Sequence, residues 1–79
     1  MQIDFLLQTR HNNYIVEIKR QREIGGEVIG EVKARLAKVR RSRGRSNRPV
    51  LVYEGHLAPI VETDGYFDSL ISFRTLLGL

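Results

Sequence analysis

Ile3-Asp4-Phe5-Leu6-Leu7-Gln8-Thr9-Arg10-His11-Asn12-Asn13-Tyr14-Ile15-Val16-Glu17-Ile18-Lys19 reads as two strands joined by a turn. Ile3 to Gln8 is apolar on both faces except at Asp4 and Gln8, the pattern of a strand buried on both sides. Asn12 and Asn13 tolerate left-handed backbone and mark the turn, and Tyr14 to Ile18 is rich in β-formers. A two-residue loop at His11-Asn12 sets Asp4 opposite Lys19 and Leu6 opposite Glu17. Because side chains alternate along a strand, Glu17 and Lys19 share one face and Ile18 takes the other. Asp4, Glu17 and Lys19 are then expected to converge. Two carboxylates beside an ammonium, raised above a sheet, suit a magnesium-dependent hydrolysis of phosphodiesters. The plainer alternative is a surface ion pair, since Glu-x-Lys is common on strands, and burial of Asp4 separates the two.

Downstream, Arg20 to Gly26 is polar and ends in two glycines, a natural exit from the sheet and lead-in to a helix. Val28, Ile29, Val32, Leu36 and Val39 then recur at helical spacing, which predicts an amphipathic helix of about four turns. Glu31 and Arg35, four apart, are expected to pair on its exposed side. Gly30 costs about 1 kcal/mol against Ala and is where close approach to the sheet is expected. The helix should stop near Arg43, with Gly44 as its left-handed cap and Pro49 soon after. Val50 to Tyr53 predicts a third strand, parallel to the second and reached by a right-handed helical crossover. Glu54-Gly55 and Asp64-Gly65 read as turns, and Pro59 interrupts the chain between them. Leu70 to Phe73 fits a fourth strand or part of a helix, and Thr75 to Leu79 a helical turn or frayed tail. The fold class is thus α/β (α+β): one small mixed sheet, a β-hairpin followed by a crossover helix and a parallel strand (ββαβ).

The 79 residues form one domain at most, burying about 60 to 65% of the surface of the unfolded chain. Cysteine is absent, which excludes disulfides, thiolate metal sites and a Cys nucleophile and leaves oxygen-ligated metals. No apolar run reaches the roughly 20 residues that span a bilayer, and no secretory signal is evident, so no membrane association and a cytoplasmic location are expected. The net charge of +4 is unevenly spread: Lys33 to Arg48 holds eight of the 13 basic residues and no acid, leaving five basic against nine acidic elsewhere. Lys33, Lys38, Arg40, Arg41, Arg43, Arg45 and Arg48 are therefore candidates to hold a nucleic-acid backbone, although basic residues near a helix C-terminus also complement its dipole.

Other candidates reduce to structural roles. His11 at a turn and His56 beside Gly55 lack ligand or nucleophile partners at diagnostic spacing and are expected in solvent. Gly25-Gly26 precedes a helix without a Walker lysine or a full dinucleotide fingerprint, so helix initiation accounts for it. Tyr53, Tyr66 and Phe67 could stack on bases, but Tyr66 and Phe67, next to a turn, are expected in a small core. Glu54 flanks the site or caps its strand.

Ile3-Asp4, twelve intervening residues and Glu17-Ile18-Lys19 together resemble the PD-(D/E)xK nuclease superfamily. The fuller string, Asp4 to Thr9, Glu17 to Lys19 and Arg48-Pro49-Val50-Leu51-Val52-Tyr53-Glu54-Gly55, is similar to the C-terminal nuclease-like domain of prokaryotic AAA-type ATP-binding proteins, over nearly the whole chain. The resemblance implies a restriction-endonuclease-like core, with Asp4 and Glu17 as ligands of Mg²⁺ or Mn²⁺ and Lys19 as base or transition-state stabiliser; the Ile18 carbonyl, between the two, is a further candidate ligand on the residue reading alone. Its substrate would be DNA or RNA, and its associations an ATPase domain or further copies of the chain. The superfamily's initial helix and first strand have no counterpart ahead of Asp4, and the helix after Lys19 lacks the glutamine and tyrosine found in some members. Residues 1–79 accordingly read as a truncated nuclease-like domain, with nucleic-acid binding without turnover, or regulation and oligomerisation beside an ATPase, as the alternatives.

Overall fold

The computed structural model describes residues 5–38 and 44–78. Within them lie β1 (Phe5–Gln8), β2 (Asn12–Ile24), α1 (Glu27–Leu36), β3 (Ser46–Leu57), α2 (Pro59–Asp64), β4 (Ser69–Ser72) and α3 (Phe73–Leu76). The strands form one mixed sheet in the order β1-β2-β3-β4. β1 is antiparallel to β2, while β2 with β3 and β3 with β4 are parallel.

The hairpin register differs by two residues from the one the sequence predicts. Phe5 faces Val16, Leu6 faces Ile15 and Gln8 faces Asn13, so Leu6 is not opposite Glu17. The cause lies in the connection. Thr9 N–H donates to the Asn12 carbonyl (2.8 Å), Asn12 N–H to Thr9 Oγ1 (3.2 Å), and Arg48 Nε to Asn12 Oδ1 (2.8 Å). These bonds close the turn between Thr9 and Asn12, the first residue of β2. A shift of two leaves every side chain on its original face.

β1 also departs from expectation in being exposed. Phe5, Leu6 and Leu7 stay 49, 49 and 54% accessible, because β1 sits at the end of the sheet rather than inside it. Its apolar run reports an uncovered edge.

β2 and β3 are far longer than the short strands predicted, and neither Arg20–Gly26 nor Glu54-Gly55 ends the sheet. Instead the ladder carries a bulge: Arg20 pairs with Glu54, but Glu23 pairs with His56. The extra residue on β2 reverses its alternation, so Ile24 and Leu57 join the same core as Leu51. Gly55 makes this possible. Its φ of 129° belongs to glycine, and a β-carbon there would lie 1.6 Å from the Gln21 carbonyl oxygen. Pro49 is tolerated in β3 because the β4 ladder begins only at Val50, leaving that flank of Pro49 outside the ladder.

α1 ends at Leu36, a turn and more before the expected stop near Arg43; Ala37 and Lys38 close it by donating to the Lys33 and Arg35 carbonyls. Gly44 has positive φ but is not the cap. Past Leu36 the apolar stripe has only Val39 left to bury, whereas basic charge accumulates. Gly30 is exposed with nothing close to it, so it marks no contact with the sheet. Pro59 occupies the first turn of α2 rather than merely interrupting the chain, and Gly65 caps that helix in the left-handed region.

Two cores result. On one face Val28, Ile29 and Val32 of α1 and Val61 of α2 pack with Ile24, Leu51, Leu57 and Phe67. On the other, Val16, Val50 and Val52 pack with Tyr14, Ile18, Ile71 and Phe73. Full burial of each such aliphatic side chain contributes about 1.5–3 kcal/mol. Tyr53, Tyr66 and Phe67 belong to the helical face, Tyr66 and Phe67 edge to face at 5.2 Å. No helix among the described residues is long and apolar enough to cross a membrane.

Candidate functional site

Glu17 and Lys19 sit side by side on the helical face of β2, next to Leu51 and Tyr53 of β3. Glu17 is buried, only 4% accessible, which is rare for a carboxylate and demands a counter-charge. Arg35 provides it: Nη1 donates to Glu17 Oε1. Lys19 Nζ in turn donates to Glu31 Oε2 at 3.2 Å.

Elementary geometry explains why these four meet. Residues two apart on a strand are separated by about 6.6 Å and residues four apart on a helix by about 6.0 Å. α1 returns antiparallel to β2, as a crossover between parallel strands must. The acid-to-base order Glu17, Lys19 is therefore matched by the base-to-acid order Arg35, Glu31. Glu31 and Arg35 do not serve as an exposed pair along the helix; both reach down to the sheet. They are the two site residues that sequence reasoning missed. The available signal was acid-x-base on a strand followed by acid-x-x-x-base on its crossover helix.

Asp4 lies outside the described residues, as do Arg40, Arg41 and Arg43. Among the described residues no group of three or more His, Asp or Glu side chains is gathered to hold a metal ion. Glu17 is the one described carboxylate of the expected metal set, and Ile18 turns its side chain to the opposite core.

The described members of the basic segment divide. Lys38 is exposed and Arg45 half-buried, while Lys33 lies over the Tyr66 ring at 5.1 Å. Arg48 bonds Asn12 and pairs with Asp68 at 3.1 Å. Lys33 and Arg48 thus have partners inside the fold as well as charge to offer outside it.

His11 and His56 are exposed, and Gly26 is the N-cap of α1, without a side-chain cap bond. Glu54 pairs with Arg20 at 3.0 Å on the surface, and Arg20 also stacks over Phe73 at 5.8 Å. Burial raises the Tyr66 phenol above its usual 10.0. Near the start of β2, Asn13 is 2% accessible. Its Nδ2 donates to Asn47 Oδ1 at 3.1 Å while its own Oδ1 has no partner among the described residues.

Comparison with protein-family models, curated proteins and solved structures gives no match for this chain.

Proposed function

We propose that this chain is a PD-(D/E)xK-type nuclease domain, with a truncated restriction-endonuclease-like core, that hydrolyses phosphodiesters of nucleic acid with Mg²⁺ or Mn²⁺. The observation that carries the reading is the buried Glu17 carboxylate with Lys19 beside it on one face of β2. Asp4 adjoins Phe5 in the chain, and Phe5 faces Val16, the neighbour of Glu17. A divalent ion would be held by Asp4, Glu17 and the Ile18 carbonyl, and would supply charge neutralisation at the phosphoryl oxygens. Lys19 would orient the attacking water or offset developing negative charge. Arg35 now provides the positive charge against Glu17, so a metal must share or displace it. The basic segment, Lys33 to Arg48, would hold the backbone of the substrate.

A second reading, nucleic-acid binding without turnover, is favoured by one specific observation: both Glu17 and Lys19 already have counter-charges on α1. Incubation with DNA and RNA in Mg²⁺ or Mn²⁺ separates the two. The nuclease reading expects cleavage that is abolished in folded Lys19→Ala and Glu17→Ala. Cleavage that survives Glu17→Ala overturns it. Binding that is salt-sensitive but indifferent to divalent metal, with no cleavage, supports the second reading.

A further inference from the structure

β1 is a short edge strand whose four described residues carry no charge, proline or bulge. Natural edges are blunted by charge, proline or a bulge. Phe5-Leu6-Leu7-Gln8 has no charged residue and no proline, its ladder with β2 is regular, and three of its four side chains are apolar and about half exposed. No strand among the described residues pairs with its outer side. Phe5 and Leu7 also form one rim of an open apolar groove of about 330 Å³, whose floor is Val16, Val50 and Val52 and whose far side is Leu76.

We propose that β1 is a self-association edge: two copies pair antiparallel through Phe5–Gln8 about a two-fold axis and join their sheets into one of eight strands. The occupant follows from the chemistry of the edge. An uncharged, apolar strand gives a charged segment nothing to pair with, whereas a second β1 presents the same uncharged row. A two-fold axis normal to the sheet keeps each face on its own side, so opposed residues must share alternation. Centring on Leu6 satisfies this. Leu6 then faces the partner's Leu6 on the helical side, and Phe5 faces the partner's Leu7 twice on the groove side. The two grooves become continuous across the axis.

Pairing β1 with the opposite edge, β4, is the weaker solution. β4 is half-buried already and carries two serines in four residues, and such a contact is head-to-tail and does not close. The β1 interface is small beside the roughly 1,000 Å² of a stable complex, which places the dimer among weak, transient contacts. This inference is independent of the nuclease reading, and either can fail alone.

Sedimentation equilibrium of the full chain, from low micromolar to millimolar concentration, should show a monomer–dimer equilibrium that Leu7→Lys shifts at least about tenfold toward monomer. Circular dichroism checks that the variant is folded, and Phe5→Lys, at another exposed position, replaces it if it is not. Because the chain has no cysteine, single cysteines report the register directly. Leu6→Cys should oxidise to a covalent dimer. Gln8→Cys should not, since its two copies lie roughly 13 Å apart along the paired strands, beyond disulfide reach. A monomer at every concentration, which would assign the edge to a different partner, overturns the proposal. So does a dimer insensitive to charge on β1, or a disulfide at Gln8→Cys in place of Leu6→Cys.

Discussion

Replacing Arg35 by Met removes the one charge among the described residues that Glu17 is hydrogen-bonded to while keeping most of the aliphatic stem in place. Breaking a buried pair from one side costs about 3–5 kcal/mol, because the remaining charge is stranded away from water. The Arg35 side chain is 21% accessible against 5% for Glu17, so some water can enter where the guanidinium was, and the lower end, about 3 kcal/mol, is expected. For a chain of this length, total stability is about 4–12 kcal/mol, so the loss is a large fraction of it. Glu17→Met leaves the more accessible partner in place and should cost less, roughly 1–2 kcal/mol. The double variant, Glu17→Met with Arg35→Met, leaves no carboxylate stranded at position 17 and should lose less than the sum of the two singles. Urea unfolding followed by circular dichroism measures all three, with the midpoint moving and the denaturant slope constant. An Arg35→Met loss below about 1 kcal/mol refutes the reasoning, as does a double variant whose loss equals the sum of the singles.

Gly55→Ala should destabilise by about 3 kcal/mol or more, since it combines positive φ with a β-carbon driven into the Gln21 carbonyl; unfolding by urea close to that of the natural chain would show that the bulge is not built as described. Tyr66 makes stability pH-dependent on the alkaline side: its folded phenol ionises above the usual 10.0 because burial disfavours the charged form. The unfolded chain therefore loses this proton first, so the contribution is complete below that value and is lost as pH rises through the folded pKa. Tyr66→Phe should remove that part of the alkaline loss in thermal unfolding curves, and an unchanged pH profile would count against it.

Local pattern made the main elements legible. Two-residue spacing put Glu17 and Lys19 on one face, the Val28, Ile29, Val32, Leu36 stripe set the buried side of α1, and the helix between two apolar runs implied parallel β2 and β3. What stayed hidden depends on contacts distant in sequence. The hairpin register turns on Arg48 reaching Asn12, 36 residues away. The continuation of β2 through Arg20–Glu23 depends on Gly55 from another strand, and a Glu-Gly pair looks like a turn until that neighbour is present. The partners of Glu17 and Lys19 were concealed because Glu31 and Arg35 have ideal spacing for each other; the match of strand and helix rises decides otherwise. The apolar run of β1 suggested burial on both faces, but composition alone does not distinguish an interior strand from an exposed edge.

The most direct test of the site follows backbone amide shifts by NMR while Mg²⁺ and then a short duplex are added to the full chain. The nuclease account predicts that Mg²⁺ moves the amides of Glu17, Ile18 and Lys19, with Arg35 responding as its hold on the carboxylate changes, and that the duplex then moves residues between Lys33 and Arg48. Glu17, Ile18 and Lys19 unmoved at millimolar Mg²⁺, with duplex present as well as absent, would contradict it and leave the four charges as a strand-to-helix clamp.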